Sequence, residues 1–124
     1  MVENGSVAKT VTKENTNGAQ SADVPRSAVG VKQDGTVVIF AVESMYYGKK
    51  AQEGDTHGMS LPDLADFMAF YGVNNGANFD GGGSTQLTVN KDGTKTVVVR
   101  SSDKGTYGLD DSRAVINTIM VASK

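Results

Sequence analysis

The chain contains no cysteine, and it has only two prolines and one histidine in 124 residues. Without cysteine it can form neither disulfides nor thiolate metal sites. No apolar run approaches the roughly 20 residues that a membrane-spanning helix needs. The first residues are polar and lack the apolar core of a signal peptide, so we expect any export signal to lie outside this chain.

The chain also has no large excess of either positive or negative charge. Twelve basic and fourteen acidic side chains leave a formal net charge of −2, with no basic patch or stripe. Nucleic acid is therefore not a predicted partner. Fifteen glycines in 124 residues exceed the usual share of about 7% and predict a turn-rich fold with much β-structure. A chain of this length can form one domain with a real core.

Local signals predict an α+β fold with one principal helix. Ser60 is followed three residues later by Asp63, a capping-box pattern, and apolar residues then recur at helical spacing. Gly72 is typical of the residue that ends a helix. The pattern predicts a helix over about residues 61–71, packed on a sheet.

Turn-forming pairs divide the rest of the chain into six or seven strands of a mixed or antiparallel sheet. Asn4-Gly5 predicts a first hairpin, and Asp34-Gly35 predicts a second over residues 27–31 and 36–42. Residues 37–42 are apolar on both faces, which predicts a central strand covered on each side. Further strands are predicted over residues 77–80, 85–89, 95–100 and 113–121, with polar loops over 13–23, 43–58 and 101–112.

The stretch Asn78–Thr85 concentrates the candidate chemistry. Asp80 is followed there by three glycines and a hydroxyl: Gly81, Gly82, Gly83 and Ser84. Because glycine has no Cβ, successive N–H groups can face one concavity and bind an anion. Asp80 at its edge is a candidate acid, base or metal ligand. The alternative is a glycine-rich turn in which Asp80 is an ordinary turn residue.

Four other polar residues are candidates. Arg26 and Arg113 each stand at the entrance to a predicted strand, and a guanidinium binds phosphate or carboxylate through two hydrogen bonds. The alternative for each is a solvated or salt-bridged surface arginine. Asn117 shares a strand face with Arg113, roughly 13 Å further along, and either faces a site or is a bonded core amide. Asp103 is a candidate second carboxylate or a turn residue.

Other arrangements have less support. His57 in its polar loop is typical of a surface histidine, and Ser84 is not in the Gly-x-Ser-x-Gly turn of a hydrolase triad. The glycine run also lacks the Gly-Lys-Ser/Thr of a Walker loop. No His/Asp/Glu set has metal-ligand spacing, so no cofactor is predicted. A divalent cation held by Asp80 and loop oxygens is an alternative that the spacing does not support.

Five segments then occur in a fixed order: Pro25–Gly30, Gly58–Ala65, Ala77–Thr85, Ser102-Asp103 and Arg113–Asn117. This ordered set resembles the signatures of the phosphodiester glycosidase family over about residues 24–121. The resemblance implies hydrolysis of an N-acetylglucosaminyl-phosphodiester-like sugar phosphodiester at its glycosidic bond, in exopolysaccharide or cell-wall glycan metabolism. An extracellular or cell-surface location is expected with it.

The resemblance also implies a set of site residues. The catalytic carboxylates would be Asp80 and Asp103, since glycosidases usually need two. The residues that hold phosphate and sugar would be Arg26, Gly81, Gly82, Gly83, Ser84, Arg113 and Asn117. The alternatives are a non-catalytic module that binds an anionic glycan and an inactive fragment of such a domain.

The chain departs from the family pattern in several places. Glu43-Ser44 stands where Asp-Gly is common, Val99–Asp103 replaces Asn-Arg-Pro-Ser-Asp, and Ala114 replaces a proline. An upstream Asn-Gly-Gly-Phe-Phe-like segment is not found in this chain. We therefore expect a single domain or the C-terminal portion of one, with a hairpin and polar loop over 1–23 and a motif-bearing core over 24–124. Exposed sheet edges would favour a homo-oligomer.

Overall fold

A computed structural model of the protein describes residues 1–12, 17–44, 56–102 and 118–122. These residues form seven strands in two antiparallel sheets and one main helix, which confirms the predicted α+β fold. The strands are β1 (Val2–Glu3), β2 (Ser6–Val7), β3 (Arg26–Lys32), β4 (Val37–Val42), β5 (Val73–Asn78), β6 (Leu87–Lys91) and β7 (Thr94–Val99). The helix is α1 (Leu61–Phe70), and short 3-10 turns lie at Lys9–Val11 and Gly18–Gln20. No helix in these ranges is long and apolar enough to cross a membrane.

The larger sheet is built around β3. Its strand order is β2-β1-β5-β3-β4, and β6 and β7 form a separate two-stranded sheet. β4 pairs with one side of β3 from Arg26↔Val42 to Val31↔Val37, and β5 pairs with the other side. Because both neighbours run antiparallel to β3, the chain leaves β4 and β5 beside the first residues of β3.

The three hairpins have the turns that their sequences predict. Asn4 and Asp92 have φ angles of 51° and 53°, and Gly5, Gly35 and Gly93 have φ angles of 77°, 85° and 81°. Asparagine, aspartate and glycine are the residues that enter this left-handed region most readily. The hairpins β1–β2, β3–β4 and β6–β7 therefore follow from local chemistry.

Helix α1 also begins and ends as predicted. The Ser60 hydroxyl accepts a hydrogen bond from the Asp63 N–H at 3.2 Å and donates one to the Asp63 carboxylate. Gly72 follows the helix with a φ of 86°. The residues that α1 buries are Leu61, Pro62, Leu64, Ala65 and Met68.

The main core lies between α1 and one face of the larger sheet. Its buried residues are Val2, Ala28, Phe40, Leu64, Met68 and Val73. The ring of Phe40 lies edge-on to Phe67 and Tyr71, with centroid distances of 6.0 and 5.8 Å. A Cβ on Gly76 would lie 2.5 Å from Met68 Cε and 3.1 Å from the Val29 carbonyl oxygen, so the end of the Met68 side chain would have to move. The packing is close enough to specify residue size.

The prediction for β4 was wrong. It is the last strand of the larger sheet within the described residues, whereas a strand covered on both faces was expected. Val37 is 60% exposed and Ile39 is 40% exposed. An apolar pattern on both faces does not by itself say that both faces are covered.

Two other strand boundaries also differ from the prediction. The strand expected over residues 77–80 begins at Val73 and ends at Asn78, so Asp80 lies after it. Residues 118–121, the end of the expected last strand, belong to no strand and are exposed. The rest of that expected strand lies outside the described residues. Pairing with β3 explains the longer β5, since its asparagines and glycine give it little intrinsic strand preference.

We predict that Leu64→Ala lowers the free energy of unfolding by about 2–5 kcal/mol, because it leaves a cavity in the core. Leu64 is 0% exposed, and Phe70 on the same helix is 88% exposed. The control Phe70→Ala is expected to change the free energy of unfolding by less than about 0.5 kcal/mol. Urea unfolding followed by circular dichroism measures both. Equal effects of the two substitutions would contradict the packing of α1.

Candidate functional site

The start of β3 is where the glycine run attaches to the sheet. The Phe79 N–H donates to the Ser27 carbonyl, and the Gly82 N–H donates to the Pro25 carbonyl, both at 2.8 Å. The Ser27 hydroxyl donates to the backbone carbonyl of Asp80 at 3.1 Å. The chain thus continues alongside β3 after β5 has ended, and this places Asp80 next to the first residues of β3.

The glycine run forms a turn packed tightly against the β3 backbone. A Cβ on Gly81 would lie 2.7 Å from the Pro25 carbonyl oxygen, so no larger residue fits there without movement of the backbone. Gly82 has a φ of 87°, and its carbonyl accepts from the Thr85 N–H at 3.0 Å. Because the Gly82 N–H is used within the protein, an anion nest here would depend on the N–H groups of Gly81 and Gly83. The nest itself stays a prediction.

Two carboxylates lie just beyond the two strands that flank β3. Asp80 follows β5 and is exposed, and Glu43 follows β4 and is half-buried. Neighbouring strands are about 4.8 Å apart, so the two backbone positions are separated by roughly 10 Å across β3. This end of the sheet therefore carries an acidic residue on each side of Arg26.

Arg26 is buried, with 9% of its surface exposed. Its Nε donates to the Met59 carbonyl at 3.0 Å, and its Nη2 donates to the carbonyls of Ala22 at 3.0 Å and Gln20 at 3.3 Å. The side chain thereby holds the loop before β3 and the residue before Ser60 to the strand. These three acceptors are neutral backbone carbonyls. Direct contact between Arg26 and phosphate stays a prediction.

Residues 100–102 connect Glu43 to the glycine run. The Arg100 N–H donates to Glu43 Oε1 at 3.4 Å, and the Ser101 hydroxyl donates to the Gly83 carbonyl at 2.6 Å. Sequence reasoning noted Glu43 only as a departure from a family pattern and did not include it in the site. Its position directly after the apolar strand β4 is the signal that could have found it.

The remaining predicted site residues are placed as follows. Ser84 is half-buried in the glycine turn, and His57 is exposed and forms an isolated bridge with Ser44. Asp103, Arg113 and Asn117 lie outside the described residues, and their roles stay predictions. Within the described ranges, no group of three or more His, Cys, Asp or Glu residues could hold a metal ion.

The sequence was compared with models of known protein families. A family model described as phosphodiester glycosidase matches residues 1–122. The chain belongs to the phosphodiester glycosidase family. The match confirms the resemblance of the ordered segments and also includes the first 23 residues, where no signature was recognised.

Comparison with solved structures supports the fold of this family member. The chain is similar to the crystal structure of a hypothetical protein from Synechocystis, with 24% sequence identity and a TM-score of 0.55. The similarity covers 82% of this chain and 17% of that one. At this identity it shows the fold alone. Among curated proteins, none matches the chain.

We predict that Arg26→Lys lowers the free energy of unfolding by roughly 1–3 kcal/mol. A lysine lacks the planar guanidinium with its several N–H donors, so it leaves some of the backbone carbonyls that Arg26 bonds without a partner. The exposed Arg100 gives the matched control, Arg100→Lys, with an expected change below about 0.5 kcal/mol. Thermal and urea unfolding measure both. Unchanged stability of Arg26→Lys, together with weaker binding of methyl phosphate, would show that Arg26 serves a ligand rather than the fold.

Proposed function

We propose that this member of the phosphodiester glycosidase family hydrolyses the glycosidic bond of a sugar phosphodiester at the end of the sheet that carries Asp80. One observation supports this most strongly. Three segments far apart in the sequence, 25–27, 79–85 and 100–102, are joined there by hydrogen bonds. Two of them carry signatures by which the family was recognised, and the third reaches the Ser102-Asp103 pair.

The chemistry requires the C–O bond at the anomeric carbon to break while water supplies the new hydroxyl. The leaving group is a phosphate monoester, which keeps the bonding electron pair and its negative charge. Stabilising that charge is the main electrostatic demand on the site, and fixed N–H dipoles and arginines meet it at little reorganisation cost. Asp80 acts as the general acid/base or orients the water, with Asp103 as the second carboxylate.

Binding is divided between anion and sugar in this proposal. The phosphodiester is held by the N–H groups of Gly81, Gly83 and Ser84 and by the positive charges of Arg26 and Arg113. The Gly82 N–H is already bonded to Pro25, so this residue contributes the shape of the turn. Asn117 holds a sugar hydroxyl. The substrate class is an N-acetylglucosaminyl phosphodiester of cell-surface or exopolysaccharide glycans, whether the chain acts alone or as the C-terminal portion of a longer domain.

A non-catalytic module that binds an anionic glycan is the second candidate. The exposure of Asp80 favours it, because a residue that only binds does not have to be shielded from water as a proton-transferring residue does. The two functions differ in one measurable respect. The module binds the phosphodiester without releasing sugar.

We predict that Asp80→Asn lowers the rate of sugar release from an N-acetylglucosaminyl phosphodiester by about 10²–10⁴-fold, as expected for loss of a general acid/base. Asp92 lies in the exposed turn between β6 and β7, and its left-handed φ of 53° also suits asparagine. Asp92→Asn is therefore the matched control and should keep the parent rate. Substrate binding by Asp80→Asn, measured by calorimetry, should change by less than the rate.

Two results would count against the hydrolase. Binding of the phosphodiester by the parent chain with no sugar release would favour the binding module. Equal rates for Asp80→Asn and Asp92→Asn would remove Asp80 from the chemistry.

A further inference from the structure

Asparagine is followed by glycine three times in the chain, at Asn4-Gly5, Asn17-Gly18 and Asn75-Gly76. In such a pair the backbone nitrogen of the glycine can attack the amide carbon of the asparagine side chain, because glycine has no Cβ to hinder the approach. The new C–N bond closes a cyclic imide, and the side-chain nitrogen leaves as ammonia. Water then opens the imide to aspartate, or to isoaspartate, in which the main chain continues through the side chain. Water is the only co-reactant, so the mobility of each pair decides whether it reacts.

The pair Asn4-Gly5 is held in its hairpin turn by the larger sheet. The Gly5 N–H donates to the Asn74 carbonyl at 2.8 Å. The Asn4 N–H donates to the side-chain oxygen of Asn75 at 3.2 Å. The attacking nitrogen of this pair is therefore engaged in a backbone hydrogen bond, although both of its residues are exposed.

The pair Asn75-Gly76 lies within β5. Gly76 is opposite Gly30 on one side and opposite Val2 on the other. The side-chain oxygen of Asn75 accepts the bond from Asn4. Attack by the Gly76 nitrogen would require the local opening of a strand that is paired on both sides, and such opening is rare.

The pair Asn17-Gly18 has no such restraint within the described ranges. Both residues are exposed, and a Cβ placed on Gly18 would have no atom within 4 Å. The Asn17 side chain makes no capping bond, and the Gly18 N–H donates to no backbone carbonyl there. One backbone hydrogen bond holds the peptide group between them, from the Gln20 N–H to the Asn17 carbonyl at 3.0 Å. Attack at this pair therefore requires the loss of one hydrogen bond and not the opening of a sheet.

We propose that Asn17 is a site of spontaneous deamidation in the folded protein, and that Asn4 and Asn75 are protected by the sheet. The proposal is independent of the glycosidase function. It gives the chain a chemical modification that depends on time and that unfolding would spread to the other two pairs.

The modified turn is one that Arg26 binds. The Arg26 Nη2 donates to the carbonyls of Gln20 and Ala22, in and just after the short turn that follows Asn17. Aspartate precedes a helical turn as readily as asparagine does, so the aspartate product keeps the turn. Isoaspartate adds an atom to the main chain between residues 17 and 18 and displaces the turn. The isoaspartate product therefore weakens the bonds between Arg26 and this segment.

The test follows the three pairs in one sample. The 124-residue chain is incubated folded in mildly alkaline buffer, digested with trypsin and analysed by mass spectrometry. The pairs fall on three different tryptic peptides, residues 1–9, 14–26 and 51–91. In the folded chain, peptide 14–26 should exchange its amide for an acid at least about tenfold faster than the other two, because they must first open part of the sheet. In urea, the three rates should become similar.

Two controls locate the reaction. Asn15 is on the same peptide but precedes Thr16, whose branched side chain hinders attack, so fragmentation should place the change at Asn17 and not at Asn15. Asn17→Gln lengthens the side chain by one carbon and disfavours ring closure, so peptide 14–26 of this variant should stay unchanged. Equal rates for the three peptides in the folded chain, or conversion at Asn4 before Asn17, would overturn the proposal.

The effect on Arg26 is measured by stability. The aspartate and isoaspartate forms are separated by chromatography and identified by electron-transfer fragmentation. Asn17→Asp and the aspartate form should melt with the parent chain, and the isoaspartate form should melt a few degrees lower. An isoaspartate form that melts with the parent would contradict the weakened bonds of Arg26.

Discussion

The position of the candidate site depends on how closely two segments approach the backbone of residues 24–27. A Cβ on Gly58 would lie 2.5 Å from the carbonyl carbon of Val24, and one on Gly81 would lie 2.7 Å from the carbonyl oxygen of Pro25. Backbone atoms cannot move aside as the end of a flexible side chain can. The two glycines therefore let the segment before α1 and the glycine run share one strand entrance, and Arg26 ties the first of these in place through the Met59 carbonyl. The helix and the glycine run are therefore both positioned by contacts with the same short stretch of backbone, residues 24–27.

The features that could be predicted from the sequence are those with local causes. The Ser60 cap, Gly72 and the Asn-Gly and Asp-Gly turns each specify a backbone conformation within a few residues. The extent of β5 has a different cause. Its sequence favours turns, and it is a strand because β3 pairs with one side and Val2 with the other. No local pattern carries that information.

The same distinction applies to the site. The glycine run and Asp80 stand out in the sequence because three adjacent glycines are costly and need a reason. Their partners do not stand out. The bond between Arg100 and Glu43 joins residues 57 positions apart, and the burial of Arg26 depends on carbonyls from two separate loops. Such contacts exist only once the sheet has formed, which is why Glu43 was missed and why the sequence did not show the backbone carbonyls that Arg26 contacts.

The apolar pattern of β4 has a consequence for how accurately the site is positioned. A strand with alternating polar and apolar residues resists a one-residue shift, because the shift would expose its apolar side. β4 has hydrocarbon on both faces and lacks this protection. Its register is left to the turn that begins at Asp34, whose carboxylate accepts an N–H bond at 2.9 Å, and to the edge-on contacts of Phe40. A shift by one residue would exchange the faces on which Glu43 and Ser44 lie. A turn at the far end of the hairpin therefore determines which of these two side chains lies on which face of the sheet.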